Sequence, residues 1–276
     1  MTTSSRWRLI LIGLLAGPEA AVAVRVQTAF EAQRRAQERL RSFVADASHE
    51  LRTPLATMHG WIDLYVQGGL TDPDHLDHAM ERMQAEVGRM RLLVEELALL
   101  ADLDAAQPLD RGPVDVVALA GEVVDDARVI SADRAISLEG ATEAVADGEG
   151  PRIQQVLRNL VGNAVQHTQP GTSVTVTVES QDGTVVVTVR DQGDGIAPEH
   201  LPHVFERFYR ADPSRSNAGD GSSGLGLAIV EAIVTAHGGT AEVNSAPGQG
   251  TTVRVTFPAF GWTGPPDRQT GPRAKR

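Results

Sequence analysis

His49 and Glu50 stand side by side in the segment SHELRTPLATMHGW, residues 48–61, with Pro54 one helical turn beyond them. A carboxylate that hydrogen-bonds one imidazole nitrogen fixes the tautomer in which the other carries a free lone pair, so this pair has the chemistry of a directed nucleophile. Thr53 stands where a HExxH zinc site would need its second histidine, which removes the metalloprotease reading. A second set of reactive positions lies further along. Asn159 and Asn163 are four apart, hence on one helix face, and their amide oxygens suit a hard cation already bridged by phosphates. Asp191 is followed by Gly193 and Gly195, so a carboxylate meets open backbone where a flat amino-bearing base could lie. Gly224, Leu225 and Gly226 precede a helical run, whose free amides favour phosphate, and Gly248-Gln249-Gly250 with Thr251 makes a third tight turn. Neither GxxxxGK[ST] nor a GxGxxG between strand and helix occurs.

The elements that must position these groups follow from hydrophobic spacing. Leu40, Val44, Ala47, Leu51, Pro54, Met58, Trp61 and Tyr65 recur at alternating steps of four and three, the spacing of a helix packed on another helix. His49 falls on the outward f position of that pattern. Pro54 has no amide hydrogen for the Glu50 carbonyl, which predicts a bend beside His49. A second run, Leu76, Met80, Met83, Val87, Met90, Val94 and Leu97, repeats the pattern. Between the runs, Gly68-Gly69 reads as a helix stop, and Asp72 with Pro73 as a helix start. An antiparallel helical hairpin is expected, pairing with a second copy as a dimeric four-helix bundle, since two helices alone cover such seams poorly.

Composition sets outer bounds. The chain has 276 residues, 41% of them hydrophobic, enough for one ordinary core plus a helical bundle. It has no cysteine, so disulfides, thiolate metal sites and cysteine nucleophiles are excluded. A formal net charge of -11 opposes direct nucleic-acid binding, which is driven by phosphate neutralisation. Residues 7–24 form an apolar stretch broken by Pro18 and Glu19, a candidate single membrane span of marginal length with no room expected for a sensor domain ahead of it. Arg25, Arg34, Arg35, Arg39 and Arg41 after it would keep the C-terminal side cytoplasmic.

Beyond residue 104 the heptads stop and Pro108, Gly112 and Pro113 mark a linker. The remainder mixes helices near 116–130, 151–167 and 223–237 with strands near 136–138, 172–179, 184–190, 240–244 and 251–257, the second and third joined by a Gln181-Asp182-Gly183 turn. Helices and strands without strict βαβ alternation predict an α+β two-layer sandwich. The expected domains are an N-terminal segment 1–28, a helical hairpin 29–104, a linker 105–113, an α+β domain 114–260 and a tail 261–276.

On these residues the chain resembles the sensor histidine kinases of two-component signalling, over roughly residues 29–259. His49 matches the phosphoacceptor of the family's H-box, Asn159 and Asn163 its N-box, and residues 191–195 (DQGDG) its G1 box. Residues 205–210 (FERFYR) match the F-box, Gly224-Leu225-Gly226 the G2 box, and residues 248–251 the last glycine motif. The resemblance implies a phosphotransfer bundle followed by a Bergerat-type ATP-binding fold shared with gyrase-like ATPases. It implies ATP and Mg²⁺ as cofactors, Asp191 on the adenine amino group, Asn159 and Asn163 on the metal, and a lid over residues 211–223.

The resemblance also implies an ATP-dependent protein-histidine kinase that phosphorylates itself on His49 and passes the group to an aspartate of a response regulator. Glu50 would act as general base. Thr53, one turn from His49, resembles the residue that positions water for the reverse, phosphatase reaction. The family commonly has Lys or Arg where this chain has Gln166, and His167, Arg207 or Arg210 is expected to supply that charge. Gyrase-like ATPases carry a water-activating glutamate where Asn159 stands, which favours transfer over hydrolysis. A nucleotide-gated scaffold without catalysis, or a regulator phosphatase, are the alternative readings.

Overall fold

The computed structural model describes residues 17–105, 107–211 and 223–261. The chain divides into two compact units, Met1–Met83 and Gln84–Arg276.

The first unit is built on helix α1, Gly17–Val66, which runs without interruption through Pro54. Its end is a Schellman motif: Gly69 N–H donates to the Leu64 carbonyl at 2.9 Å and Gly68 N–H to the Tyr65 carbonyl at 3.0 Å, with Gly68 at φ 76°. The chain then turns at Asp72, whose carboxylate accepts the Asp74 amide at 3.0 Å as helix α2, Pro73–Asp104, begins at its proline. The first turns of α2 fold back on α1, since the Trp61 and His78 rings meet edge-on with centroids 6.2 Å apart. The hairpin expected from the Gly-Gly and Asp-Pro signals is therefore present.

Within one chain Ala79, Glu86, Leu93 and Leu100 form the buried row of α2, while Met80, Val87 and Val94 of the expected seam are about half exposed. Both rows repeat every seven residues, so spacing alone did not say which is covered within one chain.

The α+β part holds the five-stranded sheet β2-β4-β5-β7-β6 and a separate pair, β1-β3. In chain order its elements are β1 (Gly112–Asp115), α3 (Val116–Ile130), β2 (Ile136–Gly140), β3 (Val145–Gly148), α4 (Gly150–Gln166), β4 (Val174–Gln181), β5 (Thr184–Asp191), a 3-10 turn (Leu201–His203), α5 (Gly226–Ala236), β6 (Ala241–Ser245) and β7 (Thr251–Pro258). β2 and β4 are parallel and the other pairs antiparallel. The β4–β5 hairpin turns on Asp182 and Gly183, both at positive φ, as the Asp-Gly pair predicted. The register aligns Val178 with Val187 and Val187 with Val255, and Val185 with Phe257, so one face of the sheet is a wall of apolar side chains. Ile153, Val156, Leu157 and Leu160 of α4, with Ile229 and Ile233 of α5, are fully or almost fully buried in the same core. Gly112 and Pro113, read as linker, instead open β1; proline is tolerated there because a two-stranded pair leaves outward amides with no ladder to serve.

Among the described residues no helix is long and apolar enough to cross a membrane. Residues 7–16 of the candidate span, residues 212–222 of the expected lid and the tail from 262 lie outside the described residues.

Candidate functional site

The nucleotide-type site is assembled at one end of the sheet. Asp191 closes β5, and its carboxylate is almost buried, at 8% exposure. One oxygen, Oδ1, accepts two backbone amides, Gly193 at 2.8 Å and Thr251 at 3.1 Å. Among the described residues no hydrogen bond reaches Oδ2, so one oxygen is locked while the other stays available to an external donor. The amide of Thr251 makes the contact to Asp191; its hydroxyl pairs with Ser245 at 3.0 Å. Ser245 also donates to the Gly250 carbonyl and accepts the Ile196 amide, both at 2.8 Å, which stitches the third glycine turn to the loop after β5.

Two glycines are required there by close approach. A Cβ on Gly195, at φ +71°, would lie 2.0 Å from the Ala246 carbonyl oxygen, and one on Gly250, at φ +75°, 2.1 Å from the Asp191 carbonyl oxygen.

The amphipathic pattern of α4 buries Ile153, Leu157, Leu160 and Ala164 and leaves Asn159 and Asn163 half-buried on an adjoining face. Asn159 is engaged at both ends of its amide: Oδ1 accepts from Gln155 at 2.9 Å and Nδ2 donates to the Gly226 carbonyl at 3.1 Å. It tethers the start of α5 to α4. Asn163 faces the same glycine, whose added Cβ would stand 3.4 Å from Asn163 Oδ1. Gly226 thus leaves room beside that amide. His167 caps the C-terminus of α4, its amide donating to the Asn163 carbonyl, and its side chain is exposed, as is that of Gln166.

The F-box and G2 residues are joined through backbone. Phe208, at φ 61°, donates its amide to the Gly224 carbonyl at 3.0 Å. Leu225 is fully buried and its amide donates to the Ser223 hydroxyl at 3.2 Å. Arg207 binds Asp104 at 2.7 Å and Ser223 donates to Glu96 at 2.7 Å, so both edges are met by residues of α2. Burial raises the Glu96 pKa above the usual carboxylate value, partly offset by the Ser223 hydroxyl. Arg210 is half-buried nearby in sequence, with no hydrogen bond to it among the described residues.

His49, Glu50 and Thr53 belong to the other unit. His49 is exposed, as its f position predicted, and among the described residues no hydrogen bond joins it to Glu50. Neighbouring helical positions point apart, which accounts for that. The Thr53 hydroxyl reaches its own helix instead, toward the His49 carbonyl at 3.5 Å.

Two groups carried no sequence signal strong enough to find them. Buried His237 accepts the Glu149 amide at Nε2 (3.1 Å) and donates from Nδ1 to the Ile233 carbonyl (2.8 Å), packing edge-on against Phe257. Burial lowers its pKa, opposed by the Ile233 carbonyl; Arg111 lowers it further, while Glu149 and Asp147 raise it. Arg134 binds Thr168 just past α4.

Among the described residues no cluster of three or more His, Cys, Asp or Glu side chains could hold a metal alone. Asn163, half-buried beside Gly226, carries an amide oxygen of the kind a hard cation accepts alongside phosphate and water ligands.

Known proteins resemble the chain in both units. Residues 39–106 match the family described as His Kinase A (phospho-acceptor) domain, and residues 148–260 the family of histidine kinase-, DNA gyrase B- and HSP90-like ATPases. The chain is similar to the probable sensor histidine kinase TcrY of Mycobacterium tuberculosis, 46% identical over 238 residues, covering 86% of this chain and 50% of the relative. It is 42% identical over 226 residues to the sensor histidine kinase TrcS of the same organism, covering 80% and 44%. Among solved structures, full-length ShkA in complex with AMPPNP aligns at TM-score 0.59 and 27% identity, covering 77% of this chain and 44% of that one. The histidine kinase AdeS of Acinetobacter baumannii aligns at TM-score 0.61 and 24% identity, covering 77% and 98%, a likeness of fold. The chain spans about half the length of the curated relatives it matches.

Proposed function

We propose, from the premise that this chain belongs to the sensor histidine kinases of two-component signalling, that it is an ATP-dependent protein-histidine kinase acting through His49. The observation that carries this reading is the half-locked Asp191 carboxylate, a base-recognition group held by two backbone amides inside a wall of required glycines. Its second oxygen accepts the adenine amino hydrogen. The triphosphate runs toward the Gly224-Leu225-Gly226 start of α5, where the first-turn amides and the positive end of the dipole meet it. His167, Arg207 and Arg210 supply cationic or hydrogen-bonding contacts in place of the family's usual base at Gln166.

Asn163 would hold Mg²⁺, with Asn159 as the second amide in place of its Gln155 contact, and the ion would supply positive charge to the phosphate oxygens.

The His49 lone pair forms an N–P bond to the γ-phosphorus as the bond to the β,γ-bridging oxygen breaks, and ADP leaves with that electron pair. Glu50 takes the proton from the other imidazole nitrogen after a side-chain rotation that brings it alongside. The phosphoryl group then passes to an aspartate of a response regulator receiver domain. Thr53, exposed on the His49 side of α1, positions water for dephosphorylating that regulator. Because ATP is the donor, both units work in the cytoplasm, whether or not residues 7–24 insert in a membrane.

Incubation with γ-labelled ATP and Mg²⁺ tests the proposal. Acid-labile, alkali-stable label is expected on the parent protein and lost in His49→Gln. Nucleotide binding without any label would overturn the kinase reading and leave the gated scaffold. The half-exposed row Met80, Val87 and Val94 supports pairing with a second copy. Light scattering is expected to give twice the chain mass; a monomer at micromolar concentration would refute the bundle.

A further inference from the structure

The guanidinium of Arg134, in the loop between α3 and β2, addresses a single residue twice. Nη1 donates to the Thr168 hydroxyl and Nη2 to the Thr168 carbonyl oxygen at 2.8 Å. That hydroxyl in turn donates to the Ala164 carbonyl at 2.7 Å, in the last turn of α4. The methyl group of Thr168 points the other way, against the loop after Asp191: a Cβ on Gly193 would stand 2.6 Å from it and 3.1 Å from Asp191 Oδ1. Gly193 is one of the two residues whose amide locks that carboxylate. Arg134, Thr168, Gly193 and Asp191 therefore form one contiguous series of contacts, from the far side of α4 to the oxygen that fixes the base-recognition group.

We infer that Arg134 is a positioning residue for adenine recognition, setting the Asp191 carboxylate through Thr168 without touching the nucleotide. A planar fork suits the task, because two fixed donors meet a hydroxyl and a carbonyl of the same residue at once, which an ammonium on a flexible stem does not reproduce. The segment leaving α4 passes through Pro170 and Gly171, the latter at φ 84°, with a turn bond from the Thr172 amide to the Gln169 carbonyl at 3.1 Å, so the clamp acts where the chain reverses. With Arg134 in place, the Thr168 methyl is a fixed backstop for Gly193, and the two amides on Oδ1 keep the angle that turns Oδ2 toward the base.

The inference rests on the proposal that Asp191 reads adenine, and the experiment separates the two. ATP affinity by calorimetry, and KM and kcat of autophosphorylation, are measured on the full chain for the parent, Arg134→Met, Arg134→Lys, Thr168→Val and Asp191→Asn. Arg134→Met is expected to raise Kd and KM for ATP about tenfold with kcat at saturating ATP within twofold of the parent. Arg134→Lys is expected to recover only part of that loss, and Thr168→Val, which keeps the methyl and the carbonyl bond but loses the hydroxyl, to raise Kd less than Arg134→Met. A merely structural clamp would lower the active fraction, and so kcat, at unchanged KM, and that result would overturn the inference. Parent-like ATP affinity in Arg134→Met beside a weakened Asp191→Asn would overturn the role of Arg134 alone. Parent-like affinity in both would overturn the adenine reading and the inference with it. Should Arg134→Met not fold, Thr168→Val carries the same test through the same KM and kcat comparison.

Discussion

Asp191 and His49, to which the proposed function gives its main roles, are prepared in opposite ways. Asp191 is almost buried and held by two backbone amides, one from its own loop and one from β7, with glycines where any side chain would collide. His49 is exposed on a helix face and, among the described residues, has no hydrogen bond to its neighbour Glu50. A recognition group that must present one fixed oxygen gains from pre-organisation, because the cost of ordering it is met on folding rather than on binding. Under the proposed function His49 serves two partners in turn, a nucleotide and a receiver aspartate, and such a nucleophile gains from an open approach.

The sharpest way to break this contrast is to separate activity from stability. His49→Gln is expected to abolish phosphorylation while leaving unfolding unchanged to within about 0.5 kcal/mol, the usual range for an exposed position. Thermal unfolding of that variant several degrees below the parent would show that His49 is structurally embedded after all. Gly195→Ala should do the reverse. A positive φ costs a side chain on the order of 1–2 kcal/mol, and the clash with the Ala246 carbonyl adds to it. The ATP-binding unit should melt earlier and lose nucleotide, while His49 remains as exposed as before. A Gly195→Ala variant with parent-like melting and ATP affinity would mean that the loop is softer than its contacts imply.

A smaller effect should sharpen the contrast through pH. His237 is fully buried and neutral, accepting the Glu149 amide at Nε2, so a proton there would face a donor. Its folded pKa lies below the unfolded value of 6.5, chiefly through burial and with Arg111 adding to it against Glu149 and Asp147. The unfolded chain therefore takes up the proton first. Stability of the ATP-binding unit is expected to be full above about pH 6.5, to fall as pH drops below it, and to level off once the depressed folded pKa is passed. Denaturant titrations of the parent and His237→Gln between pH 5 and 8 check this; equal slopes in both would remove His237 as the cause.

Regular elements with long apolar periods were legible in the sequence. The α3 limits, the β4–β5 hairpin with its Asp182-Gly183 turn and the Asp72-Pro73 start of α2 follow from local chemistry alone. β1 and β3 were not, because four-residue strands carry too little alternation to stand out and β1 contains Gly112 and Pro113. The position of Asp191 at a strand end was readable from the glycines after it. Its second amide was not, since Thr251 lies sixty residues away and meets it only through the sheet register. The Arg134 and His237 contacts are long-range in the same way, each joining a single polar side chain to backbone of a distant segment. In α2 the reverse happened: the period was clear, but two rows offset by one residue share it, and only packing separates Leu93 and Leu100 from Val87 and Val94.

Around His49 the helix carries an unusual local chemistry. Ser48 returns its hydroxyl to the Val44 carbonyl at 2.7 Å, Thr57 to the Thr53 carbonyl at 3.2 Å, and Pro54 offers no amide to the Glu50 carbonyl. Hydroxyls that share a carbonyl with the backbone amide loosen that amide's own bond, so three successive turns of α1 have weakened rungs. Expressed as solvent exchange, the amides from Glu50 to Met58 should trade hydrogen for deuterium sooner than those of the turns on either side. His49, the proposed phosphoacceptor, would then sit at the edge of a stretch of α1 that breathes locally, able to unwind by part of a turn.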